Sequence, residues 1–130
     1  MADMSDYLEV KLLNLTLNGA AFTAVDDPYI SLHTADPTDA GTGTEVSGTG
    51  YARVQAEFAT ASGTSGSVVT TADTTWAAAG ASWGTVGWIG VWDASSSGNM
   101  LYHTALDAAK TIDTGDVFKI TAGNLTVTLA

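Results

Sequence analysis

Residues 86–92, Val86-Gly87-Trp88-Ile89-Gly90-Val91-Trp92, carry large apolar side chains at both parities. A strand sends alternate residues to opposite faces. Ile89 and Val91 therefore take one face, and Trp88 and Trp92 the other. Both faces ask for cover, so this run must be a central strand or be covered by a partner. That demand constrains the fold more than any other feature of the chain.

The flanking sequence supplies short strands and polar turns. Tyr29–His33 alternates, with Ile30 and Leu32 on one face. Tyr51-Ala52-Arg53-Val54-Gln55-Ala56-Glu57-Phe58 alternates over its whole length, which predicts Ala52, Val54, Ala56 and Phe58 inward and Arg53, Gln55 and Glu57 outward. Residues 67–71, 100–104, 117–121 and 125–129 are further strands, and the polar loop 93–99 joins 86–92 to 100–104 as a hairpin. Near 4–17, Met4, Leu8, Leu12 and Leu15 recur at helical spacing, with Ser5 or Asp3 as cap and Asn18-Gly19 as a left-handed stop. The expected architecture is mainly β: an antiparallel β-sandwich, jelly-roll-like, with one N-terminal α-helix. At 130 residues it is a single domain, with 1–19 a helix or arm and 20–130 the sandwich. Loops 34–50 and 59–66, rich in Gly, Ser and Thr, are expected on the surface, the first as a docking element.

Charge narrows the partners. Fourteen acidic residues face only Lys11, Arg53, Lys110 and Lys119, a net charge of −10. Four cations build no basic patch, so neither nucleic acid nor an anionic membrane is an expected partner. The balance suits a soluble surface or docking on a basic protein. With no cysteine, disulfides and thiolate chemistry are excluded. The acidic start, Met1-Ala2-Asp3-Met4-Ser5-Asp6, lacks a signal-peptide layout, and no apolar run reaches membrane-spanning length, which predicts folding in a cytoplasm.

Several patterns invite a chemical reading and fail on context. Gly80-Ala81-Ser82-Trp83-Gly84 matches a nucleophile elbow, with Asp93 and His103 following in order. That chemistry needs a strand before the serine and a helix after it, and here a strand follows. His33 and His103 lie near acidic residues, but their spacing builds no zinc site, and each is expected as a half-exposed strand residue. Asp26, Asp27, Asp36, Asp39 and Glu45 match no calcium loop. Asp36-Pro37-Thr38-Asp39 reads as a turn in which the carboxylate accepts a backbone N–H. The glycines of 41–50 fit neither a phosphate loop nor a dinucleotide fingerprint. The expectation is no enzyme, no metal and no cofactor. Trp76, Trp83, Trp88 and Trp92 crowd into one stretch, and such a cluster packs a core, anchors an interface or stacks on sugar.

Three blocks carry a family resemblance. They are Tyr29-Ile30-Ser31-Leu32-His33-Thr34-Ala35-Asp36-Pro37 with Gly41-Thr42-Gly43-Thr44-Glu45-Val46; Gly50-Tyr51-Ala52-Arg53-Val54; and Trp83-Gly84-Thr85-Val86 continuing through Gly90-Val91-Trp92-Asp93-Ala94 to Gly98-Asn99-Met100-Leu101-Tyr102. Lys110-Thr111-Ile112, Gly115-Asp116 and Ala122-Gly123-Asn124-Leu125-Thr126-Val127 extend it to the C-terminal region. In these the chain resembles small structural proteins of tailed bacteriophages, commonly labelled tail-fibre or virion proteins. It departs at Asp73-Thr74-Thr75-Trp76-Ala77-Ala78-Ala79-Gly80, where relatives tend to show a Phe-Pro pair.

The resemblance implies a virion component assembled in the host bacterial cytoplasm and brings no catalytic motif. The first expectation is a capsid decoration or cement protein on the particle exterior, bound to major capsid subunits and self-associating, with a trimer as one form. The alternative is a tail or tail-fibre component that binds host glycan. The residues expected at contacts are Tyr7, Leu8, Trp76, Trp88 and Trp92.

Overall fold

The computed structural model describes residues 2–129. The chain is mainly β with one N-terminal helix. Strands β1 (Asp3–Met4), β2 (Tyr29–His33), β3 (Val54–Gln55), β6 (Gly84–Trp92) and β7 (Met100–Ile112) form an antiparallel sheet in the order β1-β7-β6-β2-β3. The run with two apolar faces is the middle strand, as its sequence demands. Two ribbons, β4 (Ser67–Val69) with β9 (Thr126–Thr128) and β5 (Thr74–Thr75) with β8 (Lys119–Ile120), stand where a sandwich would place a second continuous sheet. The core gathers Ile30, Leu32, Val86, Ile89 and Val91 of the large sheet with Trp76, Phe118 and Leu125 from segments beside the ribbons. Trp76 meets Phe118 edge to face at 5.2 Å, an arrangement favoured by the ring quadrupoles.

Helix α1 (Asp6–Leu17) starts where Ser5, in extended conformation, accepts the Leu8 N–H through Oγ. The same hydroxyl donates to the Met100 carbonyl, and Ser5 N–H donates to Leu101 O at 2.9 Å, so the cap is also a bolt to β7. The helix ends at Asn18 and Gly19, whose φ of +65° supplies the expected left-handed stop. Of the expected inward stripe, Leu8 is buried, Met4 and Leu12 are half-buried, and Leu15 is exposed.

Three expectations are corrected. The run 51–58 is strand only at Val54–Gln55, Ala52 is exposed, and Arg53 turns inward, its side chain 6% exposed. Strand β7 runs to Ile112 because it carries an irregularity the alternation hides: Val86 pairs with Lys110 but Trp88 with Ala105, leaving Gly87 opposite residues 106–109. His33 and His103 are both buried rather than half-exposed.

Candidate functional site

The densest gathering of polar side chains lies on the second face of the sheet, away from the core. Cross-strand partners share a face. Tyr29 pairs with Trp92, Ser31 with Gly90, His33 with Trp88, and Gly90 in turn with His103. The face is covered by the chain's own loop 34–50, which folds back over it. Asp36 Oδ1 accepts the Thr38 N–H at 2.8 Å, the expected turn, and the Pro37 carbonyl accepts the Thr42 N–H at 2.8 Å. Gly43 lies so close to Asp36 and Pro37 that any side chain there would strike their backbone.

Two histidines clasp this loop to the sheet. His33 Nδ1 faces the Gly43 carbonyl at 3.2 Å, an acceptor only, so Nδ1 carries the proton. Nε2 then accepts from Ser31 Oγ at 2.7 Å, and Ser31 Oγ accepts the Trp92 indole N–H at 2.7 Å. Every partner in this relay is satisfied by a neutral imidazole. Burial pushes the His33 imidazole below its ordinary value, although the Gly43 carbonyl and the Glu45 charge pull the other way. The second clasp is His103. Its Nε2 lies 2.9 Å from Asp39 Oδ1 and its Nδ1 3.8 Å from Asp36 Oδ1, while the Asp39 carbonyl accepts the Asp6 N–H at 3.0 Å. Asp39 thereby ties loop, sheet and helix start together.

Arg53 closes the other side. Its Nε and Nη2 donate to the two Glu45 oxygens at 2.9 and 2.8 Å, and Nη1 donates to the carbonyls of Ala94 and Ser97. Tyr51 O–H donates to Glu45 Oε1 at 2.8 Å and accepts the Leu32 N–H. Burial raises the Glu45 carboxyl, but the Arg53 and Tyr51 hydrogen bonds and the Arg53 charge outweigh it, and the net shift is downward. Burial also pushes the Tyr51 phenol well up.

The residues singled out by sequence are scattered by comparison. Trp76 is 1% exposed, in the core, and among the described residues its indole N–H is the buried side-chain polar atom without a partner. Trp92 is held under the loop by Ser31 and Arg53. Trp83 is buried, its N–H donating to Thr49 O, and Leu8 is buried beneath the helix. Trp88 and Tyr7 are half-buried, so the tryptophans assemble no exposed platform. Tyr7 borders a groove of about 480 Å³ between α1 and residues 21–27, with Lys11, Phe22, Asp26 and Tyr29. Ser82 Oγ donates to Ile112 O and accepts the Gly84 N–H. Gly84 pairs with Ile112 whereas His103 pairs with Gly90, which sets Ser82 and His103 roughly 20 Å apart along the strand. Asp27 accepts from Gln55, Asp36 and Asp39 share His103, and Glu45 pairs with Arg53; among the described residues no group of three His, Asp or Glu converges as a metal site. No described helix is long and apolar enough to cross a membrane.

Sequence reasoning missed Ser31, Glu45 and Arg53 as members of one network. The available signal was the lone arginine inside a run of alternating strand character, beside the lone glutamate of the preceding loop.

These features define a small antiparallel β protein whose richest constellation of polar groups is a fastener for its own longest loop. The chain belongs to the family described as podophage GP4 fibre I protein gp80, whose model matches residues 3–128. It is a structural protein of the bacteriophage virion. No curated protein matches the chain.

Proposed function

We propose that the chain is a structural component of a phage tail fibre. The observation that carries this reading is the family match across residues 3–128, whose description names a fibre protein. The fold supports a structural role: His33, His103, Glu45, Arg53 and Tyr51 are spent on fastening loop 34–50, and Ser82 is engaged by Ile112 and Gly84 far from His103. A β body whose longest loop is fastened to its own sheet suits a structural part of a particle. Head decoration, the first expectation from the sequence, draws on small size, the lack of cysteine, acidity and the excess of tryptophan, and the family description favours the fibre.

Copy number and position in the purified virion test this. Quantitative mass spectrometry should give a small multiple of the tail-fibre stoichiometry, and gold-labelled antibody should mark the tail. Hundreds of copies with label over the head would reject the fibre reading and restore head decoration.

A further inference from the structure

The groove of about 480 Å³ between α1 and residues 21–27 takes no part in fastening loop 34–50. Tyr7 and Lys11 stand one helical turn apart and border it from one face of α1. Phe22 comes from the segment after the helix, Tyr29 opens β2, and Asp93 follows β6. Tyr7, Phe22 and Tyr29 are each half-buried, so three aromatic rings keep part of their surface open where they line the groove. Its volume lies within the range of clefts that hold small ligands.

Hydrogen-bonding groups of both kinds border the same space. Among the described residues, the Asp26 carboxylate and the Tyr7 and Tyr29 hydroxyls have no hydrogen-bond partner in the chain. Two further carboxylates are held in place. Asp27 Oδ1 accepts from Gln55 Nε2 at 2.7 Å, and Asp93 accepts the Asn99 N–H and Nδ2 at 2.7 and 2.9 Å. Each keeps lone pairs for another donor. The Lys11 ammonium lies 5.5 Å from the centre of the Tyr7 ring.

We infer that this groove is a binding site for a neutral oligosaccharide. The lining selects the class. An anion is repelled by the three carboxylates. A cation finds the place it would take on the Tyr7 ring already held by Lys11. A wholly apolar molecule would strip water from the carboxylates and the ammonium without replacing it. A sugar ring offers a C–H face to the aromatic rings, hydroxyl donors to Asp26, Asp27 and Asp93, and hydroxyl acceptors to Lys11 and the phenols. Water competes for every one of these bonds in an open groove, so a single site is weak, with a dissociation constant on the order of 1 mM. Copies held side by side on a particle raise that strength by avidity. The assignment stands on the groove and not on the fibre reading: loss of sugar binding would leave copy number and position unaffected.

The test is a surface printed with neutral, cationic and anionic oligosaccharides, the cationic ones carrying free amines and the anionic ones uronic or sialic acids. The full chain should be retained by neutral oligosaccharides and by neither ionised set. Phe22→Ala, which removes a ring face, should weaken retention at least ~5-fold. Asp26→Asn removes an acceptor at an exposed residue with no partner in the chain, so it acts on binding without acting on folding, and it should also weaken retention at least ~5-fold. Val117→Asp, at a residue 57% exposed outside the groove, should leave retention unchanged, with matching circular dichroism for all three variants. No retention by any neutral oligosaccharide, equal retention by an ionised set, or an Asp26→Asn variant that binds like its parent would overturn the proposal.

Discussion

The Arg53 guanidinium lies over the indole of Trp92, its central carbon 3.8 Å from the ring centroid. Stacking places the guanidinium edge in plane with its acceptors, so one side chain holds Glu45 in a two-point pair and gathers the carbonyls of Ala94 and Ser97. Lysine has neither the flat face nor the fork. Arg53→Lys should cost about 2 kcal/mol, and Arg53→Ala about 3 kcal/mol, because Glu45 is then left half-buried without its partner. Urea unfolding measures both. Hydrogen exchange should quicken in residues 34–50 and 94–97 before it does in β6, since those segments lose their fastening.

Gly90 lies under the relay. A Cβ there would come within 2.8 Å of both Ser31 Oγ and Trp92 Nε1 and 3.2 Å of Met100 Sδ. Ser31 Oγ and Trp92 Nε1 are buried and hydrogen-bonded to each other at 2.7 Å, so relieving the contact would disturb that bond. Gly90→Ala should therefore destabilise by about 1–3 kcal/mol as an overpacking substitution, despite alanine's better fit to a regular backbone. Gly19→Ala is the contrast: its φ is +65° but nothing lies within 4 Å, so only backbone strain of about 1 kcal/mol applies. Thermal melts of the two variants should rank them in that order.

Trp76 combines the tightest burial of any tryptophan here with an unpartnered indole N–H. Trp76→Ala should cost about 3–5 kcal/mol through lost packing against Phe118 and its neighbours. Trp76→Phe keeps a ring in the edge-to-face position and removes the stranded donor, so the smaller ring's cavity is partly offset. Its cost should stay below about 2 kcal/mol. Denaturant midpoints at constant m-value check the pair.

The core was legible because its signal is local. The two-faced run at 86–92 became the middle strand, β2 occupies the alternating residues Tyr29–His33, and the Asn18-Gly19 stop and the Asp36 turn formed as read. The site was not legible because its links join a loop to a sheet face, a closeness that local alternation does not encode. Arg53 looks outward by parity, yet its partners lie at Glu45, Trp92, Ala94 and Ser97. Loop 34–50 has the composition of a free surface loop, but Gly41 approaches Met100 and Trp92, and Gly43 receives His33. Polar composition reads as exposure unless the sheet face beneath it is known to be polar too. The long arm of β7 was hidden for another reason: residues 106–109 swell out of the ladder and break the alternation.

Neutral His33 makes stability depend on pH in a defined window. Burial holds its folded-state value below the ordinary 6.5. Above 6.5 both folded and unfolded chains carry a neutral imidazole, and the relay contributes fully. As pH falls below 6.5 the unfolded chain binds the proton first, so stability declines until the folded imidazole also titrates. Glu45 acts in the same direction at lower pH: its folded value lies below 4.5, so its contribution is present above 4.5 and is lost as pH falls through that lower value. Urea unfolding at intervals from about pH 7 to pH 5 keeps mainly to the two imidazoles, because carboxylates in the unfolded chain titrate mainly below that range, and His103 is common to the parent and to a His33 variant. The parent chain should lose stability steadily across the lower part of this range. His33→Gln retains polar atoms for Ser31 and Gly43 but does not titrate, so the difference between the two curves belongs to this imidazole. A parent curve with the same slope as that of His33→Gln would show that the relay accepts a protonated ring at no cost.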